Sequence, residues 1–370
     1  MDSLPLTAAL LGKLFPIKGS DVERYYKHHL SDYDVWEQKN HAADWVLLEG
    51  NIGERLSIDE TQLCEEVYTI LSNKAGHGGQ GTVIAIVKGT KADVVSRILM
   101  MIPESDRSKV KEITMDFSDS MYSIAKQCFP KATIVIDCFH IVKRLCEGLE
   151  EMRLRFKRLA QVENKKAAAA FAQEESRKAR NRLYYRRKHK KNPGETRGRK
   201  RIRKQKYRPT LLSNGDTKVE LLTRSRNLLS QSGDKWGEHK KERARLLFDL
   251  YPQMLEGYSL ICKIRGIFRQ KLTTDEARKR IHEWYKEVNT CTLREIKAAR
   301  DCIKSKEDEV LNYFINRSTN ASAESLNSKM KGFRAQLHGV ADIPFFMYRI
   351  CTIFGYDYAL VYHGSFKLRQ

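Results

Sequence analysis

The sequence predicts an α/β fold in which a mixed β-sheet is interrupted by a large all-α insertion. Three observations predict it. Strand-like stretches follow one another between residues 54 and 87, a strand, helix and strand follow at 111–140, and from residue 141 the apolar spacing becomes that of long helices.

Residues 1–50 read as a helical segment with Tyr25, Tyr26, Trp36 and Trp45 among polar neighbours. His28 and His29 are adjacent, so they cannot share a helix face as histidines four apart would, and they read as solvated. The sheet begins at 54–60, ERLSIDE, where Leu56 and Ile58 face one way and Ser57 and Asp59 the other. Residues 67–71 and 82–87 are two further strands, joined through AGHGGQG. Gly76, Gly78, Gly81 and Val83 match the glycine-loop pattern of kinases. That match fails, because Lys88 follows Val83 on a single strand, no H-R-D loop occurs, and Asp116-Phe117 is followed by Ser118 where Gly is required. A dinucleotide loop would open a helix and not a strand. The reading is a hairpin turn, whose positive φ angles glycine supplies.

Residues 91–102 carry Val94, Val95, Ile98 and Leu99 at helical spacing, and Pro103 closes the helix. Ile113 and Met115 then alternate in a strand that ends on Asp116. Residues 118–128 are a short helix stopped by Pro130, and 132–136 is a β-branched strand ending on Asp137. A βαβ unit makes these strands parallel with a right-handed crossover, so both acids stand at the sheet edge where open α/β folds bind ligands. From residue 54 the order is β-β-β-α-β-α-β. That is the order of an RNase H-like mixed sheet, whose first and fourth strands are central neighbours. Asp59 and Asp116 then stand side by side, with Asp137 one strand further out, roughly 9–10 Å from Asp59.

The net charge is +22 and the isoelectric point near 9.6, which calls for a polyanionic partner. DNA or RNA is the first candidate and an anionic membrane surface the second. No apolar run reaches the roughly 18 residues of a spanning helix, so a soluble, cytosolic protein is expected. The eight cysteines form no CxxC pair and read as reduced thiols.

In the helical part, Leu145, Leu149, Met152, Phe156 and Leu159 make an apolar stripe, and further helical stretches cover 221–229, 243–268 and 281–288. Thr273 with Glu276 and Thr292 with Glu295 have capping-box spacing. Trp236 and Trp284 read as buried anchors, not base-stacking platforms. A basic arm at 177–208 holds seventeen Lys or Arg and one acid, a net +16. If eight of these charges neutralise phosphates, the slope of log K against log salt should be about −7. Its candidate DNA contacts are Arg186, Arg187, Lys188, Arg197, Arg199, Lys200, Arg201, Arg203 and Lys204. Finally, residues 317–339 form a basic helix carrying Lys329, Lys331 and Arg334. Asn320 or a neighbouring hydroxyl is placed to cap it, with Glu324 in its first turns and Asn327 and Lys331 on the same face.

LSIDET at 56–61, TMDFSDSMYSIAKQCFPKATIVIDCFH at 114–140 and STNASAESLNSKMKGFRAQLHG at 318–339 together resemble the DDE transposases of bacterial insertion sequences, the ISL3-like group in particular. The resemblance covers about residues 49–354. It implies that Asp59, Asp116 and Glu324 are the catalytic, metal-binding triad, that Asp137 and His140 form a D-x-x-H signature, and that two Mg2+ or Mn2+ ions are used. Asp137, His140, Asn327 and Lys331 are expected to support the metals or position DNA, and Lys329 and Arg334 to bind it. The domains expected are an N-terminal helical segment (1–50), the first part of the catalytic core (51–140), the insertion (141–312) and C-terminal helices completing the core (313–370). The implied activity is metal-dependent cleavage and strand transfer on DNA at element ends and target, by a homodimer or higher oligomer in the cytoplasm, associated with the nucleoid. The alternatives are a metal-dependent nuclease without strand transfer and an inactive DNA-binding protein. Relatives often carry an N-terminal zinc ribbon and helix-turn-helix. Neither pattern occurs here, so a separately encoded DNA-reading protein is an expected partner.

Overall fold

A computed structural model describes residues 1, 4–188 and 205–355. Six strands form one mixed sheet: β1 (Trp45–Leu47), β2 (Arg55–Leu63), β3 (Glu66–Asn73), β4 (Val83–Lys88), β5 (Glu112–Met115) and β6 (Thr133–Ile136). Their order across the sheet is β1-β4-β3-β2-β5-β6. The pairs from β1 to β2 are antiparallel, whereas β2/β5 and β5/β6 are parallel. The chain therefore has an RNase H-like α/β fold with a helical insertion.

One strand was hidden in the sequence. The segment 1–50, expected to be helical, ends in β1, which pairs with β4 and buries Val46 completely. Three residues are too few for alternation to register. The outer side of this edge strand is closed by Gln38, whose amide donates to Leu47 O (2.7 Å) and accepts from Leu47 N (2.8 Å). The preceding helices, Ala8–Leu14 and Gly19–Tyr25, lead into Tyr26 and Tyr33, which pack against Phe345 and Tyr348.

Alternation along the strands gives the sheet two different faces. Leu56, Ile58, Ile113, Met115 and Ile134 pack with the helices Ala92–Leu99 and Asp119–Cys128 in one core. On the other face, Val46, Ile70 and Ile86 pack against Leu326, Met330 and Phe333 of the helix Ala321–Gln336 and against Phe346, Met347 and Ile350 of the helix Ile343–Phe354. The glycine segment is a hairpin connection between β3 and β4, with His77, Gly78 and Gly81 at positive φ.

The chain divides into two compact units. The sheet unit takes residues 1–141, 270–279 and 303 onward, and the helical unit takes 142–269 and 280–302. The return to the sheet unit thus comes at Ile303, earlier than residue 313 where it was expected. Helix Glu307–Leu311 belongs beside β6: Val310 and Leu311 are buried, Asn312 Nδ2 donates to Ile134 O at 2.8 Å, and Tyr122 donates to Glu309 at 2.9 Å. Residues 270–279 join the same unit through Arg278, which pairs with Glu307 (2.8 Å) and Asp308 (2.9 Å).

In the helical unit, Leu145, Leu149 and Met152 are fully buried, but Leu159 is exposed and Ala160 takes its place inside. The stretch 243–268 is two helices, Glu238–Leu250 and Pro252–Arg269, since Pro252 has no N–H to continue the first and starts the second. Trp284 donates to Leu260 O at 2.8 Å and Trp236 stacks on Tyr258, so both are anchors. The capping box forms at Thr273 and Glu276, whereas Glu295 turns to Arg155, its oxygen 3.4 Å from Nη2. All eight cysteines are free thiols. Among the described residues, no helix is long and apolar enough to cross a membrane.

Arg197, Arg199, Lys200, Arg201, Arg203 and Lys204 lie outside the described residues, as do the side chains of Arg186 and Arg187. Lys188 is exposed at the end of the helix Cys138–Lys188.

Candidate active site

The acids are placed by strand register. Ser57 pairs with Thr114, and Met115 with Ile136, in the parallel ladders. Carrying the same register forward sets Asp59 beside Asp116 and Asp116 beside Asp137. The ladder does continue, with Asp137 N donating to Met115 O at 3.0 Å. Neighbouring parallel residues project to the same face, so the three carboxylates form a row across β2, β5 and β6.

The row is not uniform. Asp137 is 2% exposed and both its oxygens are taken: Oδ1 accepts the Phe139 N–H at 2.9 Å and Oδ2 the Asn320 N–H at 2.7 Å. It thereby ties the end of β6 to the start of Cys138–Lys188 and to the turn that opens Ala321–Gln336. Asn320 occupies the cap position of that helix, but its side chain does not cap. Its amide is drawn instead to Ile58 O, 3.3 Å away on β2.

Asp59 accepts the Glu60 N–H at 2.9 Å and the Asn327 side-chain amide at 2.7 Å. Burial, followed by the charge of Asp116, pushes its carboxyl up to about 6. Asp116 has His140 Nε2 at 2.7 Å from its Oδ1, and the same nitrogen is 3.8 Å from Glu324 Oε1. Asp116 Oδ1 is buried and, beyond this ion-pair contact with the imidazole, has no hydrogen-bond donor. Asp137, His140 and Glu324 also offer ligand atoms within 4.8 Å of one another. Asp59, Asp116, Asp137, His140 and Glu324 are thus all gathered at one edge of the sheet.

A family model described as transposase, for ISL3-like DDE enzymes, matches residues 56–350. The chain belongs to the ISL3 transposase family. No curated protein and no solved structure matches it. DNA is the substrate of this family, and all five gathered side chains lie inside the matched span.

The helix of the transposase that carries Glu324 divides its expected residues between its faces. Asn327 is buried and turned to Asp59, so it does not share the exposed face of Glu324 and Lys331. Lys329 is exposed along its length, but its ammonium donates to Gly78 O at 2.6 Å and fastens the β3–β4 hairpin. Arg334 is half-buried.

Sequence reasoning missed a second polar cluster on the same face. Glu112, Thr114 and Asp116 alternate along β5 and its end, so they project together. Glu112 is nearly buried and accepts hydrogen bonds from Asn316 (3.1 Å) and Ser318, with Lys74 Nζ at 3.4 Å. Lys74 also donates to the Thr114 hydroxyl. Burial works to raise the Glu112 carboxyl, but the donors Ser318 and Asn316 and the charge of Lys74 outweigh it and hold the group below its ordinary value. Burial lowers Lys74. The cluster pins 316–318, the approach to the Glu324 helix, against β5. Its one legible signal was the alternation of polar residues in EITMD.

Proposed function

We propose that this transposase cleaves DNA strands at the ends of its element and joins the freed 3′-hydroxyl to target DNA, with Asp59, Asp116 and Glu324 as the acids that hold two Mg2+ or Mn2+ ions. The observation that carries this reading is that the charge of Asp116 acts on Asp59, two residues beyond the Ser57–Thr114 pair of the parallel ladder, with Glu324 brought to the imidazole that touches Asp116. Three carboxylates suit hard cations that keep water and phosphate oxygens as their other ligands. The buried Oδ1 of Asp116, which has no hydrogen-bond donor, and the raised carboxyl of Asp59 suit a set whose negative charge a cation would offset. Asp137 suits the set less well, because two backbone N–H groups already engage its oxygens.

Divalent ions held by Asp59, Asp116 and Glu324 would supply the Lewis acidity needed to activate a water or a 3′-hydroxyl and to offset charge on the leaving oxygen. The chain's own residues do the positioning. Asn327 fixes the rotation of the Asp59 carboxylate. His140 stands between Asp116 and Glu324 and spaces them. Asp137 locks the turn from which the Glu324 helix departs. The basic segment 177–208, with Lys329, Lys331 and Arg334, supplies positive charge for the phosphate backbone, which fixes orientation without reading sequence. A homodimer or higher oligomer on DNA and a separately encoded end-reading protein complete the proposal.

The test incubates the protein with labelled DNA from the flanks of its own gene and a target plasmid, in Mg2+ or Mn2+. Joined products are the expected outcome. Cleaved ends without joining would make it a nuclease, and retarded DNA without cleavage would make it a binding protein.

A further inference from the structure

Phe139 is an apolar ring left in water at the edge of the acid row. It is 59% exposed, although Asp137 two residues before it and Ile141 two residues after it are buried. Its backbone is fixed, since its N–H is the donor to Asp137 Oδ1 at 2.9 Å. Its ring meets His140 edge to face, centroids 5.3 Å apart at 84°, and His140 Nε2 is the atom that touches Asp116. The ring is thus one imidazole away from the carboxylates. The other phenylalanine beside an acid of the row, Phe117, differs: the Lys306 ammonium lies over its ring at 5.2 Å. Phe139 has an open face at the place where a scissile phosphate must come, and every nucleotide next to a phosphate carries a π-face that an aromatic ring can stack on.

We propose that Phe139 is the platform on which the base beside the scissile phosphate stacks, holding that base out of the duplex while the phosphate lies at the acids. This rests on the active-site reading above. Phe139 is then a positioning residue that touches substrate without touching the reacting atoms. Its ligand class is an unpaired nucleobase of any sequence, because stacking does not read base edges. Taking a base out of the stack opens the backbone around its phosphate, which a closed duplex does not allow.

The test uses the full chain and two synthetic duplexes, one blunt and one ending in a short unpaired 3′ tail whose terminal base is 2-aminopurine, a base whose fluorescence falls on stacking. Binding is measured in Ca2+, an oxygen-seeking ion of the same charge. The wild type should prefer the tailed duplex and quench its fluorescence. Phe139→Ala should lose about tenfold of that preference, together with the quenching, a loss within the range seen when stacking aromatics are truncated. Phe139→Trp should restore both and Phe139→Leu neither, which separates stacking from mere apolar bulk. Equal preference and equal quenching in wild type and Phe139→Ala, or no tail preference in the wild type, would overturn the inference. The parallel control is cleavage by Asp59→Asn. An inactive Asp59→Asn beside an unaffected Phe139→Ala removes the stacking role alone, and an active Asp59→Asn removes the active-site reading.

Discussion

The two faces of the parallel strands β2, β5 and β6 are built from alternate residues of the same short stretches and differ in character. One face presents Leu56, Ile58, Ile113, Met115 and Ile134 to two helices and is a dry core. The other presents Ser57, Asp59, Glu112, Thr114, Asp116 and Asp137, side chains with a hydrogen-bonding or charged group, with Val135 buried among them. Burial on the first face is favourable without conditions. On the second, each polar atom must find a partner, and the structure grades them: Asp137 and Glu112 are fully engaged, whereas Asp59 is pushed towards its protonated form and Asp116 Oδ1 has no donor. The lesson is that within one row of acids some are held at a cost to the fold, as Asp59 is, while others, as Asp137 and Glu112 are, hold the fold together. Stored electrostatic strain of this kind marks sites of function.

The comparison is broken most decisively by removing charge from the three acids proposed to hold metal. Asp59→Asn, Asp116→Asn and Glu324→Gln are each expected to reduce cleavage to background while the affinity for DNA stays within a few fold. Gel retardation and strand-cleavage assays on the same preparations check this. A variant of the three that still cleaves would remove its residue from the site. The opposite face is expected to behave in the opposite way. Ile113→Ala, at a fully buried position, should cost about 2–5 kcal/mol of stability and leave cleavage per folded molecule unchanged. Urea denaturation beside the cleavage assay decides it, and a stable but inactive Ile113→Ala would mean that the faces are not separable.

Much of this division could be read from the chain before folding. ERLSIDE and EITMD alternate, so their acids had to share a face, and the order of elements made their strands neighbours. The unread part depends on partners far along the chain. Glu112 is satisfied by Asn316, 204 residues later, and no local pattern marks that pairing. The same holds for Asn320, whose backbone serves Asp137 and whose side chain serves Ile58 instead of capping its own helix. A three-residue edge strand such as β1 is too short to show a period, and helix Glu307–Leu311 has the same helical spacing as the insertion it closes. Tertiary partners, not local propensity, decided these places.

Asp137 sharpens the comparison because it sits in the acid row yet is engaged like a structural group. Asp137→Asn replaces one acceptor oxygen by an amide that faces an N–H donor, whichever way it rotates. A loss of cleavage of about 10- to 100-fold with measurable residual activity is expected, as for groups that orient a metal's ligands. A drop in stability of about 1–3 kcal/mol should accompany it, the cost of an unsatisfied buried donor. Single-turnover rates in Mg2+ and Mn2+ and urea denaturation give the two numbers. Complete loss of activity with unchanged stability would place Asp137 among the metal ligands instead.

The smallest expected effect concerns the cost of Asp59 to the fold. Its carboxyl is pushed from an ordinary value of 3.8 up to about 6, so the folded protein binds a proton more tightly there than the unfolded chain does. The associated stability is present below about pH 4 and is lost as pH rises to about 6, beyond which the fold bears the full penalty of the ionised group. Asp59→Asn never ionises and should escape that penalty. It keeps the acceptor for the Glu60 N–H, and Asn327, whose Oδ1 has no hydrogen-bond donor, can rotate its amide to accept from the new side chain. Without divalent metal, Asp59→Asn should therefore exceed the wild type by about 1–2 kcal/mol at pH 7.5, a value discounted from the full linkage, and by nothing at pH 4. Adding Mg2+ at pH 7.5 should raise the wild type towards the variant and leave the variant nearly unmoved. Urea midpoints at the two pH values, with and without Mg2+, measure all of this, and a variant less stable than the wild type at pH 7.5 without metal would show that Asp59 supports the fold as Asp137 does.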